Sequence, residues 1–354
     1  MITYWQQEAG KLVHLGQDEL SPAKNTWIDA RSVTREDIRT LEEEFHIDQE
    51  AILDFLDQDE LSRIEKDDDY TLLIIRLPVF MPQSDVSYFT IPLGIVLLEN
   101  KIVTICWTDC EVLRDIAGNR VKDINLKDIP AFITRILSRA DSTFLRYLKE
   151  INRRSTTIQN ELELAVNNDD LIQLMNLEKS LVYFTTSLRS NQLLLEKLRK
   201  TKLLRFDEED QDWLEDVAID NRQAMEMADN YTNIMSGATD AFSSIISNNM
   251  NEIMKKLAVI NLVMMAPTFI TSFFGMNYKL PFDNLPGYIP VTIAAVLCLV
   301  SIFVCQWALN FDTKRRINRE KARAQKKQEK KRAKQRRRGK KTADPFKQSI
   351  LIGD

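Results

Sequence analysis

A regular stripe of amide, hydroxyl, thioether and small side chains runs along residues 251–272. That spacing places the stripe on one face of a helix, because its members alternate in steps of three and four residues. Neutral oxygen atoms on such a face can hold the water shell of a metal cation without trapping the bare ion, which is the balance that conduction requires. A stripe of this kind can equally join neighbouring helices without any pore. Its members are Asn251, Met254, Ala258, Asn261, Met265, Thr268 and Ser272.

The stripe enters the first of two apolar segments that are long enough to cross a membrane. These segments are residues 257–275 and 288–309, and neither contains a charged residue. A spanning helix needs about 20 mainly apolar residues, so the sequence predicts two transmembrane helices joined by a short loop, 276–287. Polar side chains inside a span normally face protein or a water-filled lumen. Pro267 removes one backbone hydrogen bond and predicts a local bend in the first span.

Several kinds of chemistry have no support in the residues. A span without acids or bases contains neither a charged proton relay nor a carboxylate cage for a bare cation. The cysteines lack zinc spacing, and we find no phosphate-binding loop or nucleophile arrangement. We therefore predict a protein that is not an enzyme and has no organic cofactor. The residues considered and set aside as ligands are His14, His46, Cys106, Cys110, Cys298 and Cys305.

Charge is divided sharply along the chain. Residues 312–354 hold 18 basic and 5 acidic side chains, whereas the rest of the chain holds 30 basic and 47 acidic ones. Basic residues directly after a span mark the cytoplasmic side. We therefore expect a multi-pass protein of the plasma (inner) membrane with both termini in the cytoplasm. The basic tail, 310–354, is expected to contact anionic lipids, and nucleic acid is not an expected partner because the tail has no interleaved aromatic residues.

The first 130 residues have the pattern of an α/β domain. Runs rich in β-branched and aromatic residues alternate with turn signals and with segments of helical spacing. We predict a mixed sheet between helices, an αβα sandwich, with Thr34 and Asp37 capping the first helix. The predicted strands are 2–7, 11–15, 25–30, 71–80, 87–99 and 101–107, and the predicted helices are 34–46 and 49–57, with more helix from about Cys110.

Long helices are expected beyond Pro130. No proline occurs again before Pro267, and Gly237 is the only glycine in between, so the strongest helix breakers are missing. Helices are predicted at 131–166, 169–203 and 207–275, with Asn167 and Asp207 at the breaks. The first two form a helical hairpin within 131–206, and the third is a stalk helix, 207–256, that continues into the first span. A helix of this length needs partner helices or other subunits to cover its apolar seam.

The tripeptide Gly275-Met276-Asn277 lies between the two spans, after the long helix. In this position it resembles the signature of the CorA family of divalent-cation channels. The resemblance implies a funnel-shaped homopentamer in which the tripeptide forms the outer mouth and Asn277 contacts the hydrated cation. The positions that it implies along the pore are Asn251, Met254, Leu257, Asn261, Met265 and Thr268, with Leu257 in place of Ala258 at one step of the stripe.

The same resemblance implies a function. It is passive uptake of Mg²⁺, and also of Co²⁺ or Ni²⁺, driven by the membrane potential and gated by cytoplasmic Mg²⁺ at subunit interfaces. The regulatory stalk acid aligns with Asp216, and we take Asp85 as its partner. Met254, Leu257 and Met265 would form narrow apolar constrictions that exclude water.

Two alternatives remain open at this point. The outer loop departs from the acidic pattern of many family members, because Lys279 lies near the mouth and Asp283 is its only acid. A Zn²⁺ transporter of the same architecture is therefore the first alternative. The second belongs to another class, a coiled-coil membrane scaffold or a lipid or nucleic-acid tether that acts through the tail.

Overall fold

The computed structural model divides the chain into two units, Met1–Ile246 and Ser247–Asp354. The first unit is built around a seven-stranded sheet. The strands are β1 (Ile2–Glu8), β2 (Lys11–Leu15), β3 (Thr26–Arg31), β4 (Arg63–Lys66), β5 (Thr71–Phe80), β6 (Tyr88–Leu97) and β7 (Lys101–Cys106). Their order in the sheet is β2-β1-β3-β7-β6-β5-β4. Only β3 and β7 pair in parallel, so the predicted mixed sheet is confirmed. The structure describes residues 1–164, 167–201, 203–276, 288–289, 291–304 and 307.

Helices cover both faces of this sheet. They are α1 (Arg35–Phe45), α2 (Gln49–Leu56), α3 (Glu111–Ala117), α4 (Ile129–Leu164), α5 (Asn168–Leu198) and α6 (Glu208–Phe274). Successive residues of a strand point to opposite faces, and strand β5 shows the result. Leu72 and Ile74 pack in a cluster with α1 and α2, whereas Leu73 and Ile75 pack in another with α3, α4, α5 and the start of α6. The αβα sandwich is therefore confirmed.

The predicted helix caps are present. Thr34 Oγ1 accepts a hydrogen bond from the Asp37 amide at 3.3 Å, and Asp37 Oδ2 accepts one from the Thr34 amide at 2.9 Å. Asn167 Oδ1 accepts from the Asp169 amide at 3.3 Å at the start of α5. Asp207 Oδ1 accepts from the Asp210 amide at 2.8 Å at the start of α6. Each cap satisfies a backbone amide that has no partner within its helix.

Some elements differ from the prediction. Helix α5 ends at Leu198 rather than at 203. Strand β4 was not predicted, because its four residues are mostly charged and Ile64 is the only buried one, so no period of two is visible. Helix α4 begins at Ile129 rather than at 131. Asp128 caps it by accepting a hydrogen bond from the Ala131 amide at 3.1 Å, and Pro130 fits the first turn, where a backbone N–H is not needed.

The second unit contains the end of α6 and a further helix, α7 (Val291–Val304). Among the described residues, one helix, within Glu208–Phe273, is long and apolar enough to cross a membrane; α7 is apolar but shorter. The second predicted span, 288–309, is described only in part, so its length remains a prediction. Helix α6 continues through Pro267 to Phe274.

Candidate functional site

One face of the apolar end of α6 packs toward α7. The thiol of Cys298 donates a hydrogen bond to the carbonyl oxygen of Pro267 across a sulfur–oxygen distance of 3.8 Å. The half-buried residues of this part of α6 share a single face, as helical spacing requires. They are Val259, Val263, Ala266, Pro267 and Ile270.

The polar stripe lies on the opposite face of the same helix. At about 100° per residue, its centre is roughly 180° away from the face that packs on α7. Every stripe residue is exposed within one copy of the chain, and the side chains of Met254, Leu257 and Met265 are 59%, 50% and 66% exposed. Large apolar side chains exposed in a row mark a surface that another protein, lipid or a lumen covers. Leu257 and Ala258 are both exposed, so exposure does not distinguish them.

The oxygen atoms of the stripe are available as acceptors. Thr268 Oγ1 donates its proton to the carbonyl oxygen of Met264 at 2.8 Å, which leaves the lone pairs of the hydroxyl directed away from its own helix. In the part of the chain that the structure describes, the side-chain amides of Asn251 and Asn261 form no hydrogen bond. Such groups can accept hydrogen bonds from the waters around a cation.

The first helix of the site ends at the predicted mouth. The Gly275 amide donates to the Thr271 carbonyl at 3.0 Å, and the Met276 amide donates to the Phe273 carbonyl at 3.4 Å. A Cβ on Gly275 would lie 3.3 Å from that Thr271 oxygen, which is a tight contact with backbone. Met276 is exposed, and Asn277 lies outside the described residues.

The two predicted regulatory acids belong to different surfaces of the first unit. Asp216 is exposed on α6, and Asp85 is exposed in the loop between β5 and β6. Asp85 lines a cavity of about 380 Å³ together with Asp59 and the buried Arg76. No hydrogen bond or ion pair joins Asp85 to Asp216 among the described residues, nor do these residues contain three acids, histidines or cysteines grouped to hold a metal. Within one copy, the pair is therefore not assembled.

A buried arginine that the sequence analysis missed anchors α5 to the sheet. Arg76 of β5 is 7% exposed. Its guanidinium donates to Thr90 Oγ1 at 2.9 Å, to Ser187 Oγ at 3.2 Å and to the carbonyl oxygens of Gln58 and Glu60. Burial lowers the pKa of this guanidinium, and the nearby charges of Asp59 and Asp57 act in the opposite direction. The only signal in the sequence was one charged residue inside an apolar strand.

These features define a class of protein. The chain combines an α/β domain with a long helix whose apolar end carries an outward polar stripe. Such an arrangement suits a membrane transporter of ions, because a neutral polar face on an apolar helix can line a water-filled path.

Comparisons with known proteins agree with that class. The profile of the family described as "CorA-like Mg2+ transporter protein" matches residues 22–315. The cobalt/magnesium transport protein CorA of Methanocaldococcus jannaschii is 26% identical over 302 residues, which cover 83% of this chain and 94% of the relative. The protein of the same name from Thermotoga maritima is 21% identical over 292 residues, covering 79% and 81%.

The fold is similar as well. The complete structure of the CorA magnesium transporter from Methanocaldococcus jannaschii superimposes with a TM-score of 0.67 at 23% identity, covering 86% of this chain and 96% of that one. The chain belongs to the family of CorA-like Mg²⁺ transporter proteins. The resemblance drawn from Gly275-Met276-Asn277 is thereby confirmed, and with it the prediction of an ion transporter that is not an enzyme.

Proposed function

We propose that this protein is a passive Mg²⁺ channel that also admits Co²⁺ or Ni²⁺, built from five copies of the chain around one pore. This proposal rests on the orientation of the stripe. The stripe is exposed on the face of α6 opposite to the face that packs toward α7. Five copies would bring their stripes together around a lumen and leave α7 outside. The funnel-shaped homopentamer and the two complete spans are part of this proposal.

The membrane potential would drive the ion through a neutral pathway. Moving a charge across a potential of 100 mV changes its free energy by about 2.3 kcal/mol per elementary charge, and a divalent cation carries two. Residues 257–275 and 288–309 contain no charged side chain that could couple transport to protons. Amide and hydroxyl oxygens of Asn251, Asn261 and Thr268 would contact the water shell of a Mg²⁺ ion, which gives up its waters reluctantly. Asn277 would select the hydrated ion at the mouth.

Gating would combine the apolar rings with cytoplasmic Mg²⁺. Rings of Met254, Leu257 and Met265 would close the pore by excluding water. A Mg²⁺ ion between Asp216 of one copy and Asp85 of the next would hold two negatively charged surfaces together. An ion shifts such an equilibrium only by its difference in affinity for the two states, so small gains at several interfaces would favour the closed state when cytoplasmic Mg²⁺ is high.

The arrangement in the membrane follows from the same proposal. Residues 1–130 form the cytoplasmic αβα domain, and 131–206 form its helical hairpin. The stalk, 207–256, leads to the pore helix, 257–275. The loop 276–287 lies outside, and 288–309 returns to the basic cytoplasmic tail, 310–354, which contacts anionic lipids. The membrane is the plasma (inner) membrane.

Labelling of introduced cysteines tests the orientation of α6. In full-length protein with Cys298 and Cys305 replaced by alanine, we expect Asn261→Cys and Thr268→Cys to react with a charged, water-soluble methanethiosulfonate reagent. Val263→Cys is the matched control on the half-buried face of the same helix, and it should remain unmodified. Equal modification of Val263→Cys and Thr268→Cys would show that the stripe faces no lumen.

Removing the stalk acid should weaken inhibition by cytoplasmic Mg²⁺. In Asp216→Asn we expect the Mg²⁺ concentration for half-maximal inhibition of influx to rise roughly tenfold, within the 1–3 kcal/mol that typically couples two sites. The measurement is Mg²⁺ flux in vesicles with the internal concentration varied. Asp229→Asn, which removes an exposed charge from the same helix, is the control. An unchanged inhibition curve in Asp216→Asn would remove this residue from the regulatory site.

A second candidate substrate is Zn²⁺. The observation in its favour is Lys279, a positive charge beside the mouth in an outer loop with one acid, Asp283. A positive charge there reduces the attraction of cations and departs from the acidic loop of many family members. Parallel measurements of Zn²⁺ and Mg²⁺ influx into the same vesicles distinguish the two substrates.

A further inference from the structure

At one level along the packed helices α4, α5 and α6, polar residues separate two apolar clusters. One cluster contains Ala140 of α4 together with Val217 and Ala218 of α6. The other contains Phe144 of α4 and Ala224 of α6. Asp141, Asp220 and Asn221 therefore occupy the turns of α4 and α6 that lie between the two clusters. Apolar residues would pack there without cost, so buried polar groups at this level need a reason.

Asp141 is the buried acid of this level. Its side chain is 1% exposed, and its Oδ2 atom has no hydrogen-bond partner among the described residues. It also takes part in no ion pair of the part of the chain that the structure describes. A buried carboxylate without a donor or a cation costs several kcal/mol, so such a group takes up a proton instead of remaining charged.

Asn221 borders the same level from α6. It is fully buried, and its Nδ2 donates to the Leu188 carbonyl at 3.0 Å and to Gln192 Oε1 at 3.1 Å. Its Oδ1 has no partner within the described residues. Asn221 thus fixes α6 against α5 while an acceptor remains free, and an acceptor of this kind suits a neutral environment with a proton donor better than one with a second anion.

Among the described residues, the charged groups near Asp141 provide no cation to pair with it. From α6 it faces Asp220, which is half-buried and raises the pKa of Asp141 further. On α4 itself, Arg139 and Arg146 are held by Asp115 and Glu111.

The described residues of the other elements at this level add no cation either. From α5 the groups at this level are the neutral Leu188 carbonyl and Gln192. The charges that act on Arg76, the buried cation of the sheet, are those of Asp59 and Asp57. Burial without a cation, together with the nearby charge of Asp220, therefore favours the protonated form of Asp141.

We propose that Asp141 and Asp220 form a buried proton-binding site at the contact of α4 with α6. Asp141 holds the proton at neutral pH, and the half-buried Asp220 connects the site to solvent. The site makes the packing of α6 on α4 dependent on cytoplasmic pH, because loss of the proton leaves an unpaired charge in the core. It does not depend on which ion the protein transports.

The direction of the pH dependence follows from the folded-state pKa. Burial first, and the charge of Asp220 second, raise the pKa of Asp141 well above its ordinary value. In the unfolded chain an aspartate loses its proton near pH 4. The stabilising contribution of this site is therefore fully present below pH ~4 and decreases as the pH rises toward the folded-state pKa. In that window the unfolding equilibrium constant rises about tenfold per pH unit for one retained proton.

Infrared spectroscopy of the full-length protein in detergent tests the site. At pH 7 we expect the wild type to show the C=O stretch of a neutral carboxyl that is missing in Asp141→Asn. The melting temperature of the wild type should also fall more between pH 6 and pH 8 than that of Asp141→Asn. Asparagine resembles the protonated acid in size and hydrogen bonding, so the variant should fold. The exposed Asp229→Asn is the control and should behave as wild type in both measurements.

A second variant keeps the test decisive if Asp141→Asn fails to fold. Asp220→Asn removes the neighbouring charge and should move the infrared titration of the neutral carboxyl to lower pH. An unchanged neutral-carboxyl band in Asp141→Asn would overturn the proposal, as would an equal pH dependence of melting. So would a thermal stabilisation by Mg²⁺ at fixed pH that disappears in Asp141→Asn, because the site would then bind a divalent cation rather than a proton.

Discussion

Asn277→Ala is expected to reduce Mg²⁺ influx into proteoliposomes by at least about a hundredfold. A hydrogen bond that involves a charged group contributes about 1.5–3 kcal/mol, and five copies of Asn277 would act on one hydrated ion at the mouth. Five amide oxygens would be lost at once, so the ion would meet no polar ring where it must align with the pore. The measurement is the initial rate of Mg²⁺ entry under an inside-negative potential.

The matched control for this substitution is Asn284→Ala. It makes the same change in the same outer loop, 276–287, and should leave the rate near that of the wild type. A scaffold or tether that acts through the tail predicts the reverse, with loss of function on deletion of 310–354 and none in Asn277→Ala. Wild-type influx of Zn²⁺ without Mg²⁺ would keep the family and replace the proposed substrate, and Lys279 would then be the first residue to exchange.

Gly94→Ala is expected to destabilise the seven-stranded sheet by about 3 kcal/mol, at the upper end of the usual cost of overpacking. Gly94 lies in β6 between Ile74 of β5 and Ile105 of β7. The ring of the fully buried Phe55 of α2 occupies the position that a Cβ at this residue would take. An alanine must therefore displace Phe55 from its cluster. Thermal melting of the full-length protein, followed by circular dichroism, measures the effect as a lower Tm.

Gly237→Ala is the matched control for this prediction. A Cβ on Gly237 meets no atom within 4 Å, and alanine is favoured over glycine inside a helix by about 0.8–1.0 kcal/mol. Its Tm should equal or exceed that of the wild type. The double variant Gly94→Ala, Phe55→Leu should lose less than the sum of the two single variants, because leucine vacates part of the contested space. Strict additivity would show that the ring of Phe55 is not the cause.

The long helices could be predicted because the signals that begin and end a helix are local. Caps and breakers act within a few residues, so Asn167 and Asp207 marked the starts of α5 and α6 correctly. The strands β5, β6 and β7 were visible because their composition is apolar on both faces. Strand β4 was not visible, because its partner β5, rather than its own residues, makes it a strand.

The candidate site was likewise predictable from the sequence only in part. Spacing alone places Asn261, Met265 and Thr268 on one helix face, since a helix repeats every 3.6 residues regardless of its surroundings. Which way that face points depends on α7, whose Cys298 reaches Pro267 on the other side. No pattern along the chain contains that information, because it arises from a contact between helices distant in sequence.

By itself, the sequence determined the family, the α/β class, the neutral stripe and the separation of acidic and basic charge. These properties depend on residue type and local spacing, which act before any long-range contact forms. Only the tertiary structure decided that Arg76 would be buried against α5 and that Asp141 would lie unpartnered near Asp220. The reason is physical: the protonation and pairing of a charged side chain depend on how much water it loses, and that is set by elements that meet only in the folded protein.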